Sequence, residues 1–151
     1  MESRNDIKKP SWDKYFMNIA SECSKRSNDP STKFGCVAVS KSHSILSTGY
    51  NGGPRNVDDS KIPLTRPEKY TYMEHAERNC IYNAARVGTP LDGCIFYVTG
   101  IPCVNCMRGM YQVGASEVVM IDKTYTSMTV DCKEFINFVA YYIKVRILKD
   151  E

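Results

Sequence analysis

Along residues 12–23 apolar side chains recur every three or four positions, as Trp12, Tyr15, Phe16, Ile19 and Cys23. That spacing puts them on one face of a helix, and Ser11 can cap it by accepting a first-turn N–H. The helix is expected to stop near "SNDP", because Pro30 disfavours helical backbone at Asp29. "FGCVAVS" (34–40) and "SILSTGY" (44–50) then read as strands, and the short polar "KSH" between them predicts an antiparallel hairpin. Residues 51–74 lose all periodicity and carry Gly52, Gly53, Pro54, Pro63 and Pro67. A loop this long inside a compact domain is usually functional.

Helical spacing returns from about His75 to Arg86, with Ala76, Cys80 and Ala84 on one stripe and Gly88 as the stop. "CIFYVT" (94–99) reads as a buried strand, a helix opens near Pro102, and "EVVMI" (117–121) is another strand. Asp131 is expected to cap a helix running to about Tyr141, with Phe135, Phe138 and Val139 facing inward. "IKVRIL" (143–148) reads as a last strand rather than as more of that helix. The order predicts a three-layer α/β/α domain around a mixed, five-stranded sheet. One domain is expected over 1–151, with residues 1–10 as a flexible N-terminus.

Composition narrows the function classes. Hydrophobic residues make up 42% and charged residues 25%, the balance of a soluble globular chain. No apolar run approaches the ~18–20 residues that cross a bilayer. "MESRNDIKKP" lacks the apolar centre of a secretory signal, so a cytoplasmic protein is expected, in the host cytoplasm if a virus encodes it. The net charge of +3 is spread along the chain, which suits a small anionic ligand at least as well as a polymer. Seven cysteines, an odd number, argue against a disulfide framework, and most are expected to be buried packing residues.

The chemistry gathers at "GIPCVNC" (100–106). Cys-x-x-Cys sets two thiols one helical turn apart, and Pro102 suits the first turn of that helix. Both sulfurs would then sit at its positive end, which favours thiolates. Alone the pair could be a redox couple or packing. Zinc needs more: four protein ligands for a structural site, or three and an open position for a catalytic one. There is no second Cys-x-x-Cys, and the chain has only two histidines. His43 falls in the hairpin turn, where a solvated polar residue is ordinary. His75 opens a helix and is followed by Glu77, so "HAE" and "PCVNC" together match the H-x-E…P-C-x-x-C pattern of zinc deaminases.

In that chemistry zinc on His75, Cys103 and Cys106 activates water to attack a carbon bearing an exocyclic amine. Glu77, not a ligand, carries protons from the water to the ring nitrogen and the departing ammonia. Residues two apart on a helix point to different sides, so His75 and Glu77 converge only if the helix starts there. A base deaminase acting on nucleic acid would want a basic groove with stacking aromatics. A structural-zinc binding module would need a fourth protein ligand, for which a scattered residue such as Cys80 would have to serve.

From about residue 11 to 148 the chain resembles the deoxycytidylate (dCMP) deaminases of the cytidine deaminase-like fold. The likeness rests on "NDPSTKFGCVAV" (28–39), "GYNGGPRNVDD" (49–59), "EHAERNCIYNAAR" (74–86) and "TGIPCVNC" (99–106). "CVNCMRG" differs from the Cys-Gly-x-Cys form of free-nucleoside cytidine deaminases, and the 23 residues between Asn51 and His75 exceed the usual insertion of tRNA adenosine deaminases. The resemblance implies hydrolysis of dCMP to dUMP and ammonia for thymidylate supply, with one zinc on His75, Cys103 and Cys106 and Glu77 as proton shuttle. It implies that Asn51 binds the sugar, the Ala76 N–H holds the pyrimidine carbonyl and the Ile101 carbonyl takes the amine. Tyr125 is a candidate aromatic wall. Lys25, Arg26, Lys33, Arg55 and Arg108 are candidates for the phosphate.

The same resemblance implies a homo-hexamer, activated by dCTP with Mg²⁺ and inhibited by dTTP. Lys25, Lys33, Asn51, Gly52 and Arg55 are the candidate effector residues, since N–H groups of a Gly-rich turn with nearby cations suit a triphosphate. Some relatives also deaminate dCTP, which keeps a bifunctional enzyme as an alternative. With only His43 spare, a second zinc site is not expected. Neither a membrane nor a nucleic-acid partner is expected.

Overall fold

Strand β1 (Gly35–Val39) is buried at every position, the signature of a strand covered on both faces. The computed structural model describes residues 8–123 and 129–150. Within them β1 is followed by β2 (Ile45–Tyr50), β3 (Ile95–Val98), β4 (Glu117–Asp122) and β5 (Lys144–Lys149). The sheet order is β2-β1-β3-β4-β5. β1 is antiparallel to β2 and β3, whereas β3, β4 and β5 are parallel. The helices are α1 (Trp12–Ser24), α2 (Ala76–Val87), α3 (Val104–Gln112) and α4 (Val130–Val139). This is the expected three-layer fold with a mixed five-stranded sheet. No helix among the described residues is long and apolar enough to cross a membrane.

Side-chain alternation divides the core in two. Cys36, Ala38, Phe96, Val98, Val118 and Met120 face α2, α3 and α4. Val37, Val39, Tyr97 and Val119 face α1. All described cysteines are free, and five of the seven are buried.

Several local expectations change. The buried stripe of α1 is Phe16, Met17 and Ala20, while Trp12 and Tyr15 stay 52% and 42% exposed. Their rings flank the packed face instead of filling it, and Trp12 stacks on His43 of the hairpin turn at 4.1 Å between centroids. Arg146 on β5 fastens α1 to the sheet with two 2.7 Å bonds to Asp13 and one of 2.5 Å to Glu117.

Helix α4 is capped by Thr129, whose Oγ1 accepts the Cys132 N–H at 3.3 Å, and not by Asp131. Asp131 sits in the first turn, where its carboxylate complements the helix dipole and accepts the same N–H at 3.0 Å. α4 ends at Val139 with Cys132, Ile136 and Val139 inward, which turns Phe138 outward at 57% exposure. The irregular insert contains two short 3-10 turns, Asp59–Lys61 and Glu68–Thr71. Residues 143–148 do form the last strand, shifted by one to Lys144–Lys149.

Helix α2 lies hard against β2 because Gly49 has no side chain. A Cβ there would come within 2.4 Å of the Ala76 carbonyl oxygen and of the Cys80 nitrogen, both backbone atoms of α2. Gly49→Ala is expected to cost about 1–3 kcal/mol, read from the urea midpoint. Gly109→Ala in α3, whose Cβ would meet Ile81 at an ordinary 3.5 Å, is expected to add about 0.5–1 kcal/mol. Equal effects at the two sites would contradict this account of the packing.

Candidate active site

His75 is the N-cap of α2, with extended backbone (φ −76°, ψ 154°), and Glu77 is the second residue of the helix. The chain therefore turns between them, and both side chains face one cavity. The approach to His75 is fixed by a bridge between Gly52 and Glu74, with N–H to carbonyl bonds of 3.1 and 2.7 Å. Glu74 also accepts the His75 N–H at 3.0 Å and the Arg78 Nε at 2.7 Å.

On the facing side Cys103 is the N-cap of α3, and Cys106 is its third residue. Pro102 thus precedes the cap and is not in the first turn; its ring ends the extended segment that leaves β3. The Cys103 sulfur accepts the Cys106 N–H at 3.4 Å. Cys132 of α4 donates to the Pro102 carbonyl at 2.8 Å and pins this loop from behind.

His75 Nδ1 lies 3.5 Å from the Cys103 sulfur and 3.4 Å from the Cys106 sulfur. Tetrahedral zinc with bonds of ~2.3 Å to sulfur and ~2.0–2.1 Å to nitrogen requires S···N edges of roughly 3.6 Å. The donor set and its spacing fit zinc. Among the described residues no other His, Cys, Asp or Glu group of three is so close, and neither His43 nor Cys80 joins this one.

Charge is arranged around the trio. The Cys106 thiol beside Cys103, opposed by burial and helped by His75, brings the Cys103 pKa down to about 3. Cys106 is pushed up by the Cys103 sulfur and by burial. The Cys103 contact, against burial and with help from Glu77, raises His75 above its usual value. Without metal the trio thus holds protons that a metal must displace. Glu77 is 5% exposed, and burial raises its carboxyl above the usual range.

His75, Glu77 and Cys103 line a cavity of about 290 Å³. Asn51 and Ile101 line it too. Asn51 Oδ1 accepts the Phe34 N–H at 2.8 Å and its Nδ2 donates to the Thr32 carbonyl at 3.0 Å, so its amide also shapes the wall. Ala76 opens α2, and its N–H has no acceptor within the helix. Tyr125 lies outside the described residues.

The candidate effector residues separate. Gly52 and Arg55 line a second cavity of about 300 Å³ together with Arg26 and Asn83, whereas Asn51 belongs to the first. Lys25 pairs with Glu22 at 2.8 Å, and Lys33 bonds the Ser27 carbonyl; neither lines these two cavities. Arg108 bonds Asn105 on α3, away from both.

Sequence reasoning missed one pair. Lys69, 2% exposed, gives Asp29 bonds of 3.0 and 2.8 Å, and both residues line the cavity. Burial pushes the Asp29 carboxyl up, but Lys69 and the Ser31 and Thr32 N–H groups outweigh it and leave the pKa lowered. Asp29 was legible only as a helix stop, and no spacing rule joins it to a lysine in an irregular insert.

A layered α/β/α sheet with a His-Cys-Cys trio and a buried glutamate is the arrangement of the cytidine deaminase-like fold. The apo dCMP deaminase of the cyanophage S-TIM5 shares it with a TM-score of 0.74 at 26% identity, covering 93% of this chain and 100% of that one. The cytidine and deoxycytidylate deaminase zinc-binding region matches residues 10–122, and the chain belongs to that family. Human deoxycytidylate deaminase is 35% identical over 120 residues, 76% of this chain and 66% of that protein. An uncharacterised deaminase from the luxG 3′ region of Aliivibrio fischeri is 40% identical over 113 residues, 75% of this chain and 74% of that protein. The chain spans only 61–66% of the length of the animal deoxycytidylate deaminases it matches.

The raised Glu77 pKa has a consequence for stability. The folded protein holds this proton more tightly than the unfolded chain, whose value is near 4.5. The contribution is full below that pH and is lost as pH rises through the folded value. In metal-free protein at pH 7, Glu77→Gln is expected to raise the melting temperature, with the gain vanishing near pH 4, by calorimetry. No gain at pH 7 would contradict a buried, proton-holding carboxyl.

Proposed function

We propose that the chain is a zinc-dependent hydrolase that converts dCMP to dUMP and ammonia, supplying dUMP for thymidylate synthesis. The observation that carries this reading is the cluster of His75, Cys103 and Cys106, with buried Glu77 lining the same cavity as His75 and Cys103. The names of the relatives point to dCMP as the substrate.

Zinc held by the trio would supply a Lewis acid that makes water nucleophilic at neutral pH. Glu77 takes a proton from the attacking water and delivers it to the ring nitrogen. It then collects the remaining proton of that water and gives it to the amine, which leaves as ammonia as the C–N bond breaks and the carbonyl forms. Its burial, with the carboxyl pKa raised, suits a group that must both hold and release a proton. The Ala76 N–H donates to the pyrimidine carbonyl, the Ile101 carbonyl orients the amine, Asn51 binds the sugar and Tyr125 walls the base. The second cavity, with Gly52 and Arg55, serves the effectors: dTTP lowers activity, and dCTP with Mg²⁺ restores it, within a homo-hexamer in the cytoplasm. dCTP is also a candidate substrate.

The test is ammonia release by zinc-loaded protein from dCMP, CMP, dCTP, deoxycytidine and a cytosine-containing single strand. Turnover should be highest with dCMP and fall about 10²–10⁴-fold in Glu77→Ala. At subsaturating dCMP, dTTP should slow the reaction and dCTP should relieve it. Preference for the single strand, or full activity in the variant, would contradict the reading.

A further inference from the structure

We propose that Arg66 reads the 5′-phosphate of the nucleotide; the inference rests on the dCMP reading above and names the group that recognises the monophosphate. A phosphate monoester carries about −1.5 to −2 charges at neutral pH, and a strong reader is a cation not already committed to a carboxylate. Three basic residues line the catalytic cavity: Arg66, Lys69 and Arg78. Lys69 is held by both oxygens of Asp29, and Arg78 is held by Glu74 at 2.7 Å. Arg66 alone has no ion pair or hydrogen bond among the described residues.

Its setting suits the task. Arg66 and Tyr70 are exposed residues of the cavity lining, whereas Glu77 is buried. The turn that carries it is closed by the Lys69 N–H to the Thr65 carbonyl at 2.9 Å. Lys69 then drives into the protein to reach Asp29, and Asp29 accepts the Ser31 and Thr32 N–H groups at 2.8 and 3.3 Å. A buried pair is costly to break, so it fastens the Arg66 turn to Asp29, which also lines the cavity. The guanidinium therefore starts from a fixed base and presents a planar fork that matches phosphate oxygens.

Alternatives among the described residues are few. Lys25, Arg26, Lys33, Arg55 and Arg108 do not line the cavity. Residues 124–128, Thr-Tyr-Thr-Ser-Met, contain no Lys or Arg at all. A single uncommitted guanidinium matches one phosphate better than the larger charge of a triphosphate.

Calorimetry on zinc-loaded protein tests this with dUMP and deoxyuridine, which differ only in the phosphate. Arg66→Ala should weaken dUMP binding roughly 10- to 100-fold and shift deoxyuridine less than about threefold, with Arg66→Lys between. Arg108→Ala should leave both affinities in place. Unchanged dUMP affinity in Arg66→Ala, equal loss of both ligands, or no dUMP binding by the wild type would overturn the proposal. Arg66-dependent dUMP binding without ammonia release from dCMP would instead sink the deaminase reading and leave the phosphate site standing. Turnover of dCMP with Arg66-independent binding would do the reverse.

Discussion

Helices α2 and α3 begin side by side where β3 ends, so the unpaired N–H groups and positive dipole ends of two helices converge on one spot. That convergence is the constraint on which the site depends. It favours thiolate at Cys103, and it places His75 and Cys103 at cap positions, where side chains leave the backbone before the helix sets their direction. It also lets Glu77 face the same cavity from the first turn. Gly49 makes the arrangement reachable by letting α2 lie against the β2 backbone. Cys132 braces the α3 side from α4.

A second constraint governs the other end of the cavity. The insert between β2 and α2 contributes little core, since among its residues only Ile62 and Lys69 are buried outside the Asn51–Gly52 start. It is held instead by polar anchors: the Gly52–Glu74 bridge at its base and the Lys69–Asp29 pair at its far side. The first is made of backbone bonds, with the Glu74 carboxylate held by Arg78, and the second pairs its two charges with each other. On the cavity wall this leaves Arg66 available to a ligand, so the anchoring of the insert and its chemistry are parts of one charge arrangement.

The sheet and helix order was legible because the periodicity changes cleanly, from helical in 12–23 to strand in 34–50 and back at 75. The grouping of His75, Cys103 and Cys106 was legible because zinc-deaminase chemistry asks for fixed residue types at short spacing. The rest depends on packing that periodicity does not encode. Trp12 and Phe138 are apolar at helical spacing yet face outward, since the sheet admits only the narrower stripes of Phe16, Met17 and Ala20 or Cys132, Ile136 and Val139. Thr129 outcompetes Asp131 as a cap because an acid is equally at home in the first turn. The basic residues singled out by sequence lie off the catalytic cavity, and two of the three that line it, Arg66 and Lys69, sit in an aperiodic insert whose path only the folded chain fixes.

The central claim is that the trio forms an open, three-ligand zinc centre. X-ray absorption at the zinc edge of the loaded protein tests it most directly. The account predicts two sulfurs at about 2.3 Å with one nitrogen and one oxygen at about 2.0–2.1 Å, the oxygen being from water. A third sulfur, or a shell closed by four protein ligands, would contradict it.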